Sequence, residues 1–271
     1  MPAFDPERVA ELVRQAAAEF VLPRFRRLEK GDVREKLRGE LVTVADLDVE
    51  TFLSEKLRTL WPGSVVVGEE SSEDVPEGLE ELRGEKPVWI IDPVDGTANF
   101  AAGNDCFAIM IALAERRSLR AAWIYAPVQD VMLHAEAGQG SWRNGKRLCQ
   151  LQSAASNQDL CGTLHFGTYG NPELVRRFER NRRNLRTLKS LRCSGHEYLR
   201  LVSGESSFSL FTRTKPWDHA PGVLIYRELG GQARHLPEGQ DYDVGSCEPG
   251  PLLLAPDAAS WKAVKNRLLA T

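Results

Sequence analysis

The stretch Trp89-Ile90-Ile91-Asp92-Pro93-Val94-Asp95-Gly96-Thr97 sets the reading of the whole chain. The apolar run Val88–Ile91 is short enough to be a buried strand, and it ends on a carboxylate. Pro93 turns the chain, and a second carboxylate follows at Asp95. Gly96 then permits a backbone angle, or a close approach, that a side chain would forbid. Two acids held this near each other repel unless a cation lies between them, and all-oxygen ligands favour Mg²⁺, Mn²⁺ or Ca²⁺. A polar turn closing a strand is the competing reading of the segment taken alone. An EF-hand loop is excluded, because counting from Asp92 places Gly103 where the bidentate glutamate would have to stand.

Working outward, the segments on either side repeat this signature of an acid at the end of an element. Val65–Val67 reads as a strand and runs into Gly68-Glu69-Glu70-Ser71-Ser72. Upstream, Val49, Phe52, Leu53, Leu57 and Leu60 form a helical stripe that stops at Trp61-Pro62-Gly63. Thr43 and Asp46 have the spacing of a capping box at its start. Extended backwards, the stripe meets Asp46, an inward carboxylate that needs a partner because burying it alone is costly. The first helix shows the same periodicity from Val9 to Val21 and ends at Pro23. Downstream, Phe107–Leu113, Ala121–Tyr125 and Val131–Ala135 read as strands, with Asn144-Gly145 as a tight hairpin turn. Beyond residue 150 helices and strands alternate: a helix near Glu197–Ser203, a strand Phe208–Phe211, a helix Trp217–Leu229, a strand Leu252–Ala255 and a helix capped by Asp257. Asp218 stands at the start of one of these helices, with Pro221 expected in its first turn. Two layered halves, 1–150 carrying most of the acids and 151–271 contributing Asp218, are the economical division.

Composition narrows the classes. With 271 residues, 42% hydrophobic and 27% charged, the chain can bury a substantial core, and the net charge of −3 argues against a general nucleic-acid binder. The longest apolar run, Cys106 to Ala114, is nine residues, against about 20 for a spanning helix, so no membrane partner is expected. The first residues lack the basic start and apolar stretch of a secretory leader, and a cytoplasmic location is expected. Five cysteines (Cys106, Cys149, Cys161, Cys193, Cys247) include no C-x-x-C pair, and the five histidines show no metal-ligand spacing. Neither a disulfide framework nor a zinc site is therefore expected. The His134-Ala135-Glu136 triplet lacks the P-C-x-x-C partner of a deaminase, and no P-loop or dinucleotide fingerprint is present. The segment Arg176–Arg192 holds eight basic residues and one acid, Glu179, and reads as a solvated helix face or as an anion-binding surface.

Gly68-Glu69-Glu70-Ser71, Asp92-Pro93-Val94-Asp95-Gly96-Thr97 and Trp217-Asp218 followed by Gly222, in this order, resemble the motifs of the inositol monophosphatase family. Leu41-Val42-Thr43-Val44-Ala45-Asp46 is similar to the family's early helix segment. The resemblance implies a layered αβαβα sandwich of mixed α+β and α/β character. It implies a lithium-sensitive, Mg²⁺-dependent phosphomonoesterase, with Mn²⁺ as a substitute and two or three ions per site. It further implies that Glu69, Asp92 and the carbonyl of Val94 hold one ion, and that Asp92, Asp95 and Asp218 hold another. Glu69 and Thr97, the latter bonded to Asp46, would position an attacking water, and the backbone N–H groups of Gly96 and Thr97 would take the phosphate. A homodimer acting on a small phosphorylated substrate is the implied assembly.

The departures concern the substrate. The carboxylate that contacts sugar hydroxyls seven residues before the Asp218 position in inositol-specific members is replaced by Phe211. The family's Gly-Ser-Ala run stands here as Gly195-His196-Glu197. Phe211 and His196 are thus the candidate pocket residues. An inositol monophosphate-like polyol or sugar phosphate is expected, with histidinol phosphate, fructose bisphosphate or a 3′-phosphonucleotide as alternatives. A different class, a macromolecule-binding protein that uses 176–192, also stays open.

Overall fold

The computed structural model describes residues 5–37, 40–72, 79–153, 159–167, 171–246 and 250–270. The chain opens with α1 (Pro6–Ala16), continued by a π turn over Ala17–Val21. A hairpin of β1 (Val33–Leu37) and β2 (Glu40–Thr43) leads into α2 (Val44–Leu60). The reciprocal cap expected from the spacing is formed there: Ala45 N donates to Thr43 Oγ1, and Thr43 N donates to Asp46 Oδ2 at 2.8 Å. Next come β3 (Val65–Gly68), the short α3 (Glu69–Ser72), β4 (Val88–Asp95) and α4 (Thr97–Ala101). An antiparallel meander follows through β5 (Ala108–Glu115), β6 (Ser118–Ala126), β7 (Val131–Glu136), β8 (Gly140–Arg143) and β9 (Lys146–Arg147). Asn144 (φ 47°) and Gly145 (φ 73°) make the tight turn between the last two, the positive angles that a two-residue hairpin demands.

The remaining elements are β10 (Cys161–His165), α5 (Pro172–Asn181), β11 (Arg186–Thr187), α6 (Ser194–Val202), β12 (Phe208–Phe211), α7 (Pro216–Glu228), β13 (Gln232–His235), β14 (Leu252–Ala255) and α8 (Ala258–Leu268). Among the described residues the strands make a seven-stranded sheet, β3-β4-β5-β6-β7-β8-β9, a five-stranded sheet, β11-β10-β12-β14-β13, and the β1–β2 hairpin.

Strand alternation sorts the cores. Trp89, Ile91, Ile109, Ile111 and Trp123 on one face of the large sheet pack against Val9, Val13, Leu53 and Leu57 of α1 and α2. Ile90, Met110, Ala112 and Ile124 on the other face pack against Tyr198, Leu201, Trp217 and Val223 of α6 and α7, and that core reaches Phe211, Leu252 and Leu254 of the small sheet. The far side of the small sheet packs Phe208, Leu210 and Leu253 on Phe178, Trp261 and Val264 of α5 and α8. The result is five layers, αβαβα, in which each sheet is covered on both faces.

Three details differ from the sequence reading. The β1–β2 hairpin was not anticipated, because Val33-Arg34-Glu35-Lys36-Leu37 is mostly charged and carries no clear apolar alternation. The basic segment is not one helix: α5 stops at Asn181, and a tight turn over Arg182–Asn184 leads to the short edge strand β11. Pro221 lies in the second turn of α7 rather than the first, because the helix already starts at Pro216.

One irregularity decides where the chemistry can sit. In the β4–β5 ladder Asp92 faces Met110 and Asp95 faces Ala108, so three steps on β4 match two on β5. This is a bulge, and it falls at Pro93, a residue with no N–H to give to the ladder. In a regular strand two side chains three residues apart point to opposite faces. The extra residue cancels that, and Asp92 and Asp95 share the face of Ala108 and Met110, toward α6 and α7. Gly96 closes the bulge at φ 85°, and a Cβ there would lie 2.9 Å from the Cys106 carbonyl oxygen. Gly96→Ala is therefore expected to destabilise the protein by about 1–3 kcal/mol, read as a lower urea midpoint with an unchanged slope.

Candidate active site

Three elements deliver carboxylates to one cleft. Asp92 and Asp95 come from the bulged end of β4, Asp218 from the first turn of α7, and Glu69 from α3 directly after β3. Carboxylate oxygens of Asp92, Asp95 and Asp218 all lie within 4.8 Å of one another. Asp92 and Asp95 are buried, at 1% and 7% exposure. Asp92 Oδ1 is enclosed with no hydrogen-bond partner among the described residues.

The electrostatics follow from that crowding. Burial, then repulsion from Glu69, Asp95 and Asp218, pushes the Asp92 carboxyl well above the usual range. Burial and the neighbouring Asp95 raise Asp218 to about 7. Glu69 is raised well above its usual value by burial, although Lys36 opposes this. Asp95 is raised less freely, since Cys193 Sγ and Gly195 N donate to Oδ2 at 2.8 and 2.6 Å and Ser194 N donates to Oδ1 at 3.1 Å. A divalent cation fits this donor set: buried hard oxygens, mutual repulsion and an orphaned lone pair.

The helix start beside the acids is equally constrained. Thr97 Oγ1 lies 3.2 Å from Asp46 Oδ1 and 3.0 Å from the Val94 carbonyl oxygen. Asp46 Oδ2 meanwhile accepts from Thr43 N and from Thr43 Oγ1, the latter at 2.5 Å. Burial raises Asp46 to about 6 despite these bonds. Gly96 and Thr97, at the start of α4, adjoin the carboxylates.

Of the two residues the sequence reading places in the pocket, Phe211 is held by packing. It is 4% exposed and stacks on His165 at 4.5 Å between ring centroids, with His219 edge-on at 4.6 Å. His196 sits in the first turn of α6, its Nε2 3.1 Å from the Phe107 carbonyl oxygen. It lies with Cys106 and Cys193, the potential ligand atoms of all three within 4.8 Å of one another. The sequence reading expected no such grouping, because it looked for short local spacings and these residues come from two distant elements. In Arg176–Arg192, Arg176, Arg180, Arg182, Arg183, Arg186, Lys189 and Arg192 are exposed, while Phe178 and Leu185 are buried.

Several residues that shape the site were not read from the sequence. Glu50, buried in α2, accepts from Glu70 N at 2.8 Å and Ser71 N at 2.9 Å, and so ties down the turn that presents Glu69. Gly68 is required beside it, since a Cβ there would lie 2.2 Å from the Glu50 carboxyl carbon. Lys36 Nζ, on the hairpin, donates to Glu70 at 2.7 Å and reaches Glu69 at 3.4 Å. Arg213 bonds Glu40 of the same hairpin at 2.5 Å. The one available signal for Glu50 was its place on the inward stripe of α2, one residue after Val49.

A family model described as the inositol monophosphatase family matches residues 6–268. A fructose-1,6-bisphosphatase/inositol-1-monophosphatase of Thermotoga maritima is 29% identical over 192 residues, 71% of this chain and 70% of its own. Inositol monophosphatase 1 of Solanum lycopersicum is 31% identical over 222 residues, 80% of each chain. A solved structure described as an IMPase/NADP phosphatase complexed with Mg²⁺ and phosphate superposes with a TM-score of 0.80 at 20% identity, over 98% of this chain and 95% of its own.

The raised carboxylates make stability depend on pH. Asp46, Glu70 and Asp218 have ordinary values near 4 and folded values of about 6 to 7, so the stability they permit is full below about pH 4 and is lost as pH rises through about 7. The chelator-treated protein should therefore melt at a higher temperature near about pH 5 than near about pH 8. Added Mg²⁺ should raise the melting temperature more at the higher pH. Scanning calorimetry in both conditions checks this, and an equal Mg²⁺ effect at both would contradict it.

Proposed function

Because the chain belongs to the inositol monophosphatase family and is a phosphoric monoester hydrolase, we propose that it hydrolyses a small phosphorylated polyol or sugar in a Mg²⁺-dependent reaction at the cleft of Asp92. The single observation that carries this reading is the cluster of Asp92, Asp95 and Asp218, two of them buried, with Glu69 close enough to be repelled by Asp218 and one oxygen of Asp92 unpartnered. The family is metal-dependent, and the Mg²⁺ and phosphate bound in the solved structure of similar fold favour that ion. Mn²⁺, also a hard oxygen-seeking cation, is a plausible substitute.

Glu69, Asp92 and the Val94 carbonyl would hold one ion, and Asp92, Asp95 and Asp218 a second. Bound there, the cations supply a lowered pKa for a nearby water and neutralise charge on the phosphate and the leaving oxygen. The chain's own groups do the rest. Thr97 can donate its single hydroxyl proton to Asp46, which leaves its lone pairs to accept from the attacking water and aim it at phosphorus. Asp46, raised to about 6 and held by Thr43, can receive that proton near neutral pH. Gly96 and Thr97 offer backbone N–H groups to the phosphate oxygens. The acids of the first half of the chain and Asp218 of the second, on either side of residue 150, form one site under this reading.

Phe211 gives no hydrogen bond to a sugar hydroxyl, so selectivity rests on shape and on the phosphate. Inositol monophosphate, histidinol phosphate, fructose bisphosphate and a 3′-phosphonucleotide belong together in a phosphate-release panel, and the substrate is the one with the highest kcat/KM. A homodimer and a cytoplasmic setting accord with this reading.

Asp92→Asn should lower Mg²⁺-dependent phosphate release by at least about 100-fold, since even the outer partners of metal ligands cost 10–100-fold. The same variant should melt at a higher temperature than the parent in chelator, because one repelling charge is gone. Retained activity would sink the assignment. Li⁺, a monovalent ion competing for one of the cation positions, is expected to inhibit at millimolar concentration in the same assay.

A further inference from the structure

Beside the acidic cluster lies a second group of a different chemical character. Cys106 stands two residues before β5, Cys193 immediately before α6, and His196 in the first turn of α6. They are brought together where α6 meets the bulged end of β4, and their potential ligand atoms all lie within 4.8 Å of one another. Cys106 and Cys193 are buried, at 7% and 3% exposure, and His196 is half-buried. In a tetrahedral site with sulfur at about 2.3 Å and nitrogen at about 2.0 Å from the ion, ligand atoms stand about 3.5–3.8 Å apart. The observed grouping, within 4.8 Å, is somewhat wider than that size.

Two further contacts complete the arrangement. Asp95 Oδ2 accepts from Cys193 Sγ at 2.8 Å, so a carboxylate adjoins the group as a candidate fourth donor. His196 Nε2 meets the Phe107 carbonyl at 3.1 Å, the kind of backbone partner that fixes the tautomer of a ligating imidazole. Thiolates and imidazole select soft or borderline ions such as Zn²⁺ and leave Mg²⁺ to the carboxylates.

We propose that Cys106, Cys193 and His196 bind a thiophilic divalent cation of the zinc class with Asp95 as fourth ligand, and that this binding shuts off the hydrolase. Both thiols release their protons to solvent when the ion binds, and no redox change occurs. Asp95 then points at the soft ion and is withdrawn from the hard one. The inhibitory half rests on the assignment of Asp95 to the catalytic cation; the binding half does not.

The test uses Co²⁺ as a spectroscopic probe, titrated into the reduced full-length protein in excess Mg²⁺. One equivalent should bind with tetrahedral d–d bands and a sulfur-to-cobalt charge-transfer band, and Zn²⁺ should displace it. The bands should survive Cys149→Ser and be lost or strongly weakened in Cys106→Ser and in His196→Gln. Zn²⁺ at micromolar concentration should inhibit Mg²⁺-dependent phosphate release, and Cys106→Ser should need at least about tenfold more with its Mg²⁺ activity retained. Absence of a thiolate band, or its persistence in Cys106→Ser, would overturn the site. A full set of bands with no loss of activity would overturn the coupling through Asp95. A parent protein with the bands but no Mg²⁺-dependent phosphate release would leave the site standing and place the failure in the proposed function.

Discussion

Charge repulsion buried at the end of a central strand is the constraint around which the molecule is arranged. Asp92 is sealed from water on a strand covered on both faces, with Asp95 and Asp218 within a few ångströms. Leaving such groups ionised without partners costs several kcal/mol each. Evolution does not keep that cost in a core for packing, since an apolar strand end would be more stable there. The surrounding structure offsets it piecemeal: α6 directs two backbone N–H groups and a thiol at Asp95, and Lys36 stands over Glu69 and Glu70. Asp92 receives no such help for its Oδ1.

Local irregularity and global layering have to agree for this to work. The bulge at Pro93 rotates Asp95 onto the face of Asp92, and Gly96 makes the following turn possible with φ 85°. That face looks onto the helical middle layer, which brings Asp218 from α7 and the start of α6. Glu50 of α2, on the opposite side of the sheet, ties down the turn that carries Glu69. The cleft is thus assembled from both sides of the large sheet.

Much of this was legible in the sequence because it is written in short-range patterns. Val88–Ile91, Phe208–Phe211 and Leu252–Ala255 are apolar runs with turn residues around them, and the Thr43–Asp46 cap is a three-residue spacing. The acids of the motifs could be named because each lies at the end or start of an element. What could not be read depends on partners far away in the chain. Glu50 looks like any other acid on a helix until Gly68 packs against it, and the charged hairpin strand Val33–Leu37 lacks the alternation that identifies a strand. Cys106 and Cys193 are separated in sequence by strands of both sheets, so no spacing rule can join them. The same holds for Phe211, whose stacking on His165 and His219 is a property of the small sheet and α7 together.

The middle helical layer has one further consequence. Trp217 and Val223 of α7 belong to the core that links the two sheets, and the same helix carries Asp218 in its first turn. The layer that packs between the two sheets is also the layer that completes the cleft. Loosening one sheet from the other would therefore move Asp218 before it exposed much apolar surface. Function in this architecture is the more sensitive gauge of interlayer packing, and a substitution deep in the hydrophobic interior, far from any polar atom, can register first as lost catalysis.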